Sequence, residues 1–578
     1  MSHFAGYLRK QAVDSEFISP AERSIQCRTL LALTRNTALN VEQRQDSRFW
    51  LAAVSLPTWS ASIMVDRREH GLGAVAGDPL FVEAKEIPLI EASVTKVFEA
   101  LSAGSIGKLA QTRGMFCAVT WAASCGRLVI ATDRLANRSL YYKFERDRFL
   151  FATSLRLLRQ MTQEHEVVDE QGLAEHLFFG QSLGERTVLG GVKVLMPGQA
   201  LILERDAPPL TRVYADYTDT VRAALSYDEA ESRLHQCFSI AVRRRLSAGR
   251  QEAFLSGGLD SRAVVAELID QGRAIDTFCT AYRDSTDDIV SEQVAAALGT
   301  RHVSWHRTPA ERVLVALDPF AVYARDHFPS ANGPGPRKLW SGDGGSVTLG
   351  HVYMSAASIE TAAGPLNADQ VRKLFPALRT RPTRQISRQL TTHFSELATA
   401  GAMAELSKCQ AAAPDRRLFH FYMRNDQARH LYHHLDSIDL TQVELLTPFF
   451  DADFVTLVSS LPTAWFLDHK IYNSWITRFH CGAGNIYWQS YPGHLPSPHA
   501  RPPTANDQWR AEWYSTRAVR SAYSELAATL CARRDRLPFN YASKSVLQIC
   551  RLLNMAGVTS YNYEISHARN MMNILGDA

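Results

Sequence analysis

The sequence predicts a two-domain α/β protein, with a β-rich domain over residues 1–210, a parallel-sheet domain over 221–500 and a helical extension over 501–578. Three observations carry this. The 578 residues exceed one hydrophobic core at about 150 residues per domain. Short apolar runs broken by turn residues fill the first part, as in paired strands. After residue 221, strand and helix patterns alternate, as in α/β units.

In the first domain, Gly114–Trp121 and Arg127–Thr132 flank a small-residue turn, and Tyr141–Phe144 and Phe149–Ala152 flank the charged turn Glu145–Arg148. Met196-Pro197-Gly198 separates Val192–Leu195 from Ala200–Leu203, which predicts a third strand pair. The stretch from Asp206 to Thr220 reads as the linker. In the second domain, Ser226 and Glu229 have capping-box spacing and open a helix to about Leu246. The run Ala253–Leu255 predicts a strand, followed by a glycine turn and a helix through Leu268. A second strand over Thr277–Tyr282 and a helix over Ile289–Leu298 repeat the rhythm, so the sheet is expected to be mostly parallel.

Composition narrows the function classes. With 46% hydrophobic and 21% charged residues, the chain is globular, and a net charge of +4 gives no overall drive toward nucleic acid or an anionic membrane. Nine scattered cysteines without a Cys-x-x-Cys pair suggest neither a disulfide framework nor a thiolate zinc site. No stretch reaches the roughly 18 apolar residues of a membrane span, and the first residues lack the order of a signal peptide. The expectation is a cytoplasmic protein with no nucleic-acid and no membrane partner.

One segment carries chemistry. Ser256-Gly257-Gly258-Leu259-Asp260-Ser261 lies between a strand and a helix. Paired glycines let backbone approach an anion, the helix start offers free N–H groups, and Ser256 and Ser261 add hydroxyls. That is a pyrophosphate site, with Asp260 placed to hold Mg²⁺ between phosphates. Adenine is expected between the strands at Phe254–Leu255 and Cys279. Gly107-Lys108 fails as a P-loop because position 102 is Ser102, and Gly342–Gly345 completes no dinucleotide fingerprint.

These residues resemble the asparagine synthetase superfamily, in order along the chain to about residue 480. Ser256–Ser261 resembles its pyrophosphate loop, and Ser341-Gly342-Asp343-Gly344-Gly345 its second, Ser-Gly-Glu-Gly-Ala-Asp segment. Thr447-Pro448-Phe449-Phe450-Asp451 resembles its Arg-x-Pro-Phe-Leu-Asp segment, with Lys470 where the family carries an active-site lysine. Thr132-Asp133-Arg134, Ser139–Tyr142 and Met196–Gly198 resemble pieces of its glutaminase domain. The resemblance implies an N-terminal nucleophile-hydrolase-like αββα sandwich joined to an ATP-pyrophosphatase domain with a parallel sheet. It also implies ATP and Mg²⁺, with Ser256 to Ser261, Ser341 and Gly342 on the nucleotide, and Asp260 and the position of Ser346 on the metal.

The departures point to the reaction. A glutaminase of this family needs cysteine after the initiator Met, as nucleophile with its own α-amine as base, and here that residue is Ser2. The family's Asn-Gly-Glu segment is unrecognisable near Gly77-Asp78-Pro79, and no acidic residue precedes Gly114. The first domain is therefore expected to be a degenerate scaffold without glutaminase activity, and the acyl-adenylate to be captured by an amine of the same substrate. Within the superfamily this describes β-lactam synthetases and the cyclases of lasso peptides. Asp343, where β-lactam synthetases carry Tyr, resembles the cyclases more closely, while Ser346 replaces a metal-binding Asp. The resemblance thus implies closure of a macrolactam between a side-chain carboxylate and the N-terminal amine of a precursor peptide, with a leader-peptide-binding protein and a leader protease as partners. Asp343 is expected to accept or orient the amine proton, and Lys470 to neutralise charge on phosphate and tetrahedral intermediate. A β-lactam synthetase or other small-molecule amide ligase, and a non-catalytic nucleotide-binding scaffold, remain the alternatives.

Three further groups have ordinary readings. Arg243-Arg244-Arg245 reads as a solvated face or a domain contact. His430, His433 and His434 read as residues of one helix without a completed metal set. Asp284, Asp287 and Asp288 follow the second strand, where nucleotide sites gather and where N-caps also fall.

Overall fold

The computed structural model describes residues 3–12, 18–34, 39–55, 64–67, 71–82, 90–162, 167–217, 220–306, 308, 337–380, 388–409, 413–507, 516–532, 544–557, 562, 565–566 and 569. Ser2, on which the glutaminase expectation turns, lies outside them. In the first domain the strands are β1 (His3–Arg9), β2 (Val41–Gln45), β3 (Phe49–Val54), β4 (Met64–Arg67), β5 (Gly71–Gly77) and β6 (Phe116–Ala122). They continue with β7 (Arg127–Thr132), β8 (Tyr141–Phe144), β9 (Arg148–Ala152), β10 (Val192–Val194), β11 (Gln199–Leu203) and β12 (Leu210–Val213). Two six-stranded sheets result, in the orders β10-β8-β9-β1-β3-β2 and β12-β11-β7-β6-β5-β4.

Period-two alternation decides how they stack. Phe4 and Leu8 of β1 and Phe49 and Leu51 of β3 point inward, against Val119 and Trp121 of β6 and Ile130 of β7. Residues of the other parity, Tyr7, Trp50 and Ala52, pack beneath the helices Pro20–Leu33 and Leu155–Met161. On the far side, Val75, Phe116 and Val129 receive Val94, Val97 and Leu101 from the helix Ile90–Ser102. The domain is the expected αββα sandwich. The first outer helix starts where local chemistry dictates: Ser19 and Glu22 form a reciprocal capping box on either side of Pro20.

Two predicted hairpins, β6–β7 and β8–β9, are antiparallel pairs. The third is not a pair. β10 joins β8, whereas β11 joins β7 and β12, so Met196-Pro197-Gly198 carries the chain from one sheet to the other. Turn chemistry marks a reversal but not the partner on either side. The expected linker also contains β12, an exposed edge strand.

The second domain opens with the capped helix Tyr227–Arg243 and holds a parallel sheet of β13 (Gln251–Phe254), β14 (Ile275–Ala281), β15 (Arg301–His306), β16 (Arg337–Trp340) and β17 (Val443–Leu446). The order is β15-β14-β13-β16-β17. Strand order reverses between β13 and β16, so the loops leaving their carboxyl ends diverge and open a crevice. The Ser256–Ser261 loop leaves β13, and the Ser341–Gly345 loop leaves β16. Of the extension, residues 505–506 return to this domain, with Thr286 N donating to Asn506 O at 2.7 Å. The helices Arg517–Ala532 and Lys544–Ala556 pack on each other. Among the described residues no helix is long and apolar enough to cross a membrane.

A charge cluster inside the second domain meets the first. Arg245 Nη1 lies 2.8 Å from Asp451 Oδ2, and Arg244 Nη1 lies 2.8 Å from Asp453 Oδ2. Arg113 of the first domain, at the position where the resemblance would place an acid, reaches Asp453 at 2.5 Å. Arg245 Nη2 also donates to Arg113 O at 3.3 Å, so this member of the arginine triplet is a domain contact, and Asp451 caps the helix Ala452–Ser460 while holding both Arg244 and Arg245. Removing one partner of a buried pair strands the other charge, at a cost of about 3–5 kcal/mol. Asp451→Ala is expected to lose that much stability, read as a lowered urea midpoint of the full chain. An unchanged midpoint would show that this network is energetically idle.

Candidate active site

At the end of β13 the chain makes a tight turn whose hydroxyls face inward. Ser261 Oγ accepts from Ser256 N at 2.9 Å and lies 3.0 Å from Ser256 Oγ. Gly257 N donates to Asp287 Oδ1 at 2.9 Å, which fixes the loop against the following α/β unit. Asp287 therefore serves the loop, and the N-cap of its helix is Ser285. Glycine is required at 257, where a Cβ would stand 2.8 Å from Thr286 O.

The second loop lies against the first. A Cβ on Gly342 would stand 2.5 Å from both Asp260 C and Ser261 N. Ser346 donates to Asp260 Oδ2 through its amide, 2.9 Å, and its hydroxyl, 2.6 Å, while Tyr472 OH donates to Oδ1 at 2.7 Å. Burial raises the Asp260 carboxyl above its ordinary range, against these hydrogen bonds, which pull it down. Asp343 is held by Ser341 Oγ at 2.5 Å on Oδ2 and by His430 Nε2 at 2.9 Å on Oδ1. Burial alone would raise the Asp343 carboxyl, but the bond and charge of His430 outweigh it and hold the group below its usual value. The same pairing outweighs burial at His430 and raises its imidazole.

Two cavities open on these loops. The larger, about 500 Å³, runs from Phe254, Leu255 and Cys279 past Ser256 and Asp260 to Asp343 and His430. The smaller, about 250 Å³, shares Ser256, Asp260 and Ser346 and adds Asp287, His469 and Gln489. The structure thus gathers both strands of the expected adenine site with the expected phosphate loop, Ser341, Gly342, Asp343 and Ser346. Lys470 is placed otherwise: it opens the helix Lys470–Trp475 with an exposed side chain and lines neither cavity. His469, one residue earlier, does line the smaller one, in left-handed backbone at φ 62°.

Mg²⁺ is usually held by one or two carboxylates together with nucleotide phosphates and water. One half-buried carboxylate with a serine hydroxyl at 2.6 Å fits that kind of site, in which phosphate oxygens supply most ligands. Among the described residues no group of three or more His, Cys, Asp or Glu could hold a metal by itself.

Several site residues are not legible in the sequence. His430 follows a short turn, Gln427–Arg429, instead of sharing a helix with His433 and His434, which lie on Tyr432–Asp436. Residues 488–491 and Leu495 form a wall of the smaller cavity, held in part by Arg262, which donates to Ile486 O at 2.7 Å and Tyr487 O at 2.8 Å. An arginine inside a helix gives no warning of that use.

Residues 94–215 match the glutamine amidotransferase domain family, and residues 233–478 match the asparagine synthase family. Glutamine-hydrolyzing asparagine synthetase 3 of Bacillus subtilis is 26% identical over 208 residues, covering 33% of this chain and 34% of that protein. Amidase chry2 of Gibberella zeae and amidase chyE of Penicillium rubens are each 31% identical over 171 residues, 28% of this chain and 25% of theirs. The chain thus spans about a third or less of the length of these curated relatives. Among solved structures, the glutamine phosphoribosylpyrophosphate amidotransferase of Bacillus subtilis has a TM-score of 0.26 and 10% identity, covering 53% of this chain and 91% of that one.

Proposed function

This chain is a member of the asparagine synthetase superfamily, and from that premise we propose that it is an AMP-forming peptide cyclase of the lasso type. It adenylates a side-chain carboxylate of a precursor peptide and closes a macrolactam with the peptide's own N-terminal amine. The observation that carries this reading is the larger cavity, which joins the phosphate loop to the Asp343–His430 pair in one space. Activation of a carboxylate and proton removal from an amine need those two functions side by side.

The steps follow from the residues. ATP lies with its phosphates on the amides and hydroxyls of Ser256–Ser261 and its base between β13 and β14. The substrate carboxylate attacks the α-phosphorus, and pyrophosphate leaves toward the smaller cavity. Asp260 and Ser346 would hold Mg²⁺, whose charge, when bound, neutralises the phosphates. The carboxylates of Asp260 and Asp343 give the wall a negative character that favours an incoming ammonium group. Binding both reacting ends of one peptide makes amide formation effectively unimolecular. Precursor supply is assigned to a leader-peptide-binding protein and a leader protease.

The test is a set of linear peptides, each with a free α-amine and one Asp or Glu, incubated with ATP and Mg²⁺. A cyclic product one water lighter than its peptide, with AMP and pyrophosphate in equal amount, is expected. ADP as nucleotide product overturns the reading, and AMP formed only with a small β-amino acid favours the small-molecule ligase. Because Ser2 stands in place of a cysteine nucleophile, no glutamate should be released from glutamine. Glutamate release abolished by Ser2→Ala would overturn the scaffold reading of the first domain.

A further inference from the structure

We propose that His430 is the base that takes the proton from the attacking amine, with Asp343 as its orienting partner and the N-terminal domain as its support. This rests on the amide-ligase reading and goes beyond it in assigning the proton. Both oxygens of Asp343 are engaged, Oδ2 by Ser341 and Oδ1 by His430. An ionised carboxylate only accepts, so His430 Nε2 carries the hydrogen and Nδ1 is the ring's lone-pair nitrogen. Among the described residues Nδ1 has no hydrogen-bond partner, and the ring, 40% exposed, faces the larger cavity. An acceptor works best with a pKa near the working pH. The imidazole is raised and the carboxyl lowered by their pairing, which suits the ring to this task better than Asp343.

In the step itself, the amine nitrogen bonds to the acyl carbon and the bond from that carbon to the AMP oxygen breaks. AMP leaves with the electron pair, and the nitrogen's proton passes to His430 Nδ1. The resulting imidazolium faces Asp343, with Asp260 across the cavity and Asp426 on its own segment as the other charges near it.

The support comes from the first domain. Asn137 Nδ2 donates to Gln427 O at 2.9 Å, Gln181 Nε2 to Asn425 O at 2.6 Å, and Gly184 N to Asn425 Oδ1 at 2.8 Å. The Arg429 guanidinium donates to the carbonyls of Ser182 and Gly184. All of these fall on the five residues ahead of His430. A sandwich that delivers no ammonia would thus still be needed, because it fixes the base.

The experiment uses the full chain and a linear peptide that the wild type closes. His430→Gln is expected to lower cyclic product about 10²–10⁴-fold, with a much smaller loss of peptide-dependent ATP–pyrophosphate exchange. Since the neutral ring is the acceptor, wild-type product formation should rise with pH through a value above the ordinary 6.5 of histidine. Asp343→Asn should move that limb to lower pH and lower its plateau, and His430→Gln should remove it. Equal loss of exchange and product, or a limb unmoved by Asp343→Asn, overturns the assignment. Should His430→Gln fail to fold, Asn137→Leu takes its place. It is expected to lower the plateau without changing the KM for ATP, and an undiminished plateau overturns the supporting role of the first domain. Failure of the ligase reading looks different, since the wild type then forms no AMP with any peptide. NMR titration of the His430 ring needs no peptide, and a titration unaltered by Asp343→Asn overturns the pairing in that case too.

Discussion

Gly342→Ala is expected to lower AMP formation about 10²-fold, the loss typical of a misplacement near 1 Å in a catalytic constellation. The reason is contact between two backbones. The added methyl would stand 2.5 Å from Asp260 C and Ser261 N, and neither atom belongs to a side chain that can swing away. The loop after β16 must therefore back off from the phosphate loop, taking Ser341 and Asp343 with it. Gly342 does not sit in left-handed backbone, so alanine brings no dihedral strain and the effect isolates the close approach. AMP release under saturating ATP, beside a thermal melt of the same preparation, checks it. A variant that melts like wild type and turns over like wild type would show that the loops tolerate separation.

That contact also marks how far sequence reasoning reached. Strands with period-two alternation and a turn between them were legible, and β7 and β8 fall at the predicted residues. The Ser226 capping box was legible because both halves of it are local. Which sheet β11 joins was not, because pairing is decided by long-range packing that a turn motif does not encode. The turn of residues 256–261 between a strand and a helix was legible for the same local reason as the cap: its glycines, hydroxyls and helix start are consecutive. His430 was not, since its role depends on Asp343, 87 residues away, and on a segment anchored to another domain. Lys470 illustrates the reverse. Its position in the order of motifs pointed to the site, yet two consecutive left-handed residues, Asp468 and His469, turn the chain just before it and the lysine emerges into solvent.

Asp260→Asn is expected to lower AMP formation about 10³-fold and, at neutral pH, to make the protein more stable. The first effect follows from charge. Stabilising a leaving pyrophosphate through a metal is worth several kcal/mol, and about 1.4 kcal/mol corresponds to tenfold in rate. Asparagine keeps the shape of the side chain but not the charge that would hold the cation. The second effect follows from burial, which raises the Asp260 carboxyl above its ordinary value although Ser346 and Tyr472 donate to it. A carboxyl raised on folding binds its proton more tightly in the folded than in the unfolded chain. Its contribution to stability is then fully present below the unfolded pKa and is lost as pH rises through the folded one. The amide never ionises, so it avoids that loss; its oxygen accepts from Ser346 N and its NH₂ donates to Tyr472 OH, which can accept as well. Melting temperatures of both proteins from about pH 3 to pH 8 should therefore coincide at the acid end and diverge upward, with the variant ahead. Coincident melting curves at every pH would mean that Asp260 is solvated well enough to ionise freely. A variant both stabilised and fully active would mean that the phosphate loop does not need its carboxylate.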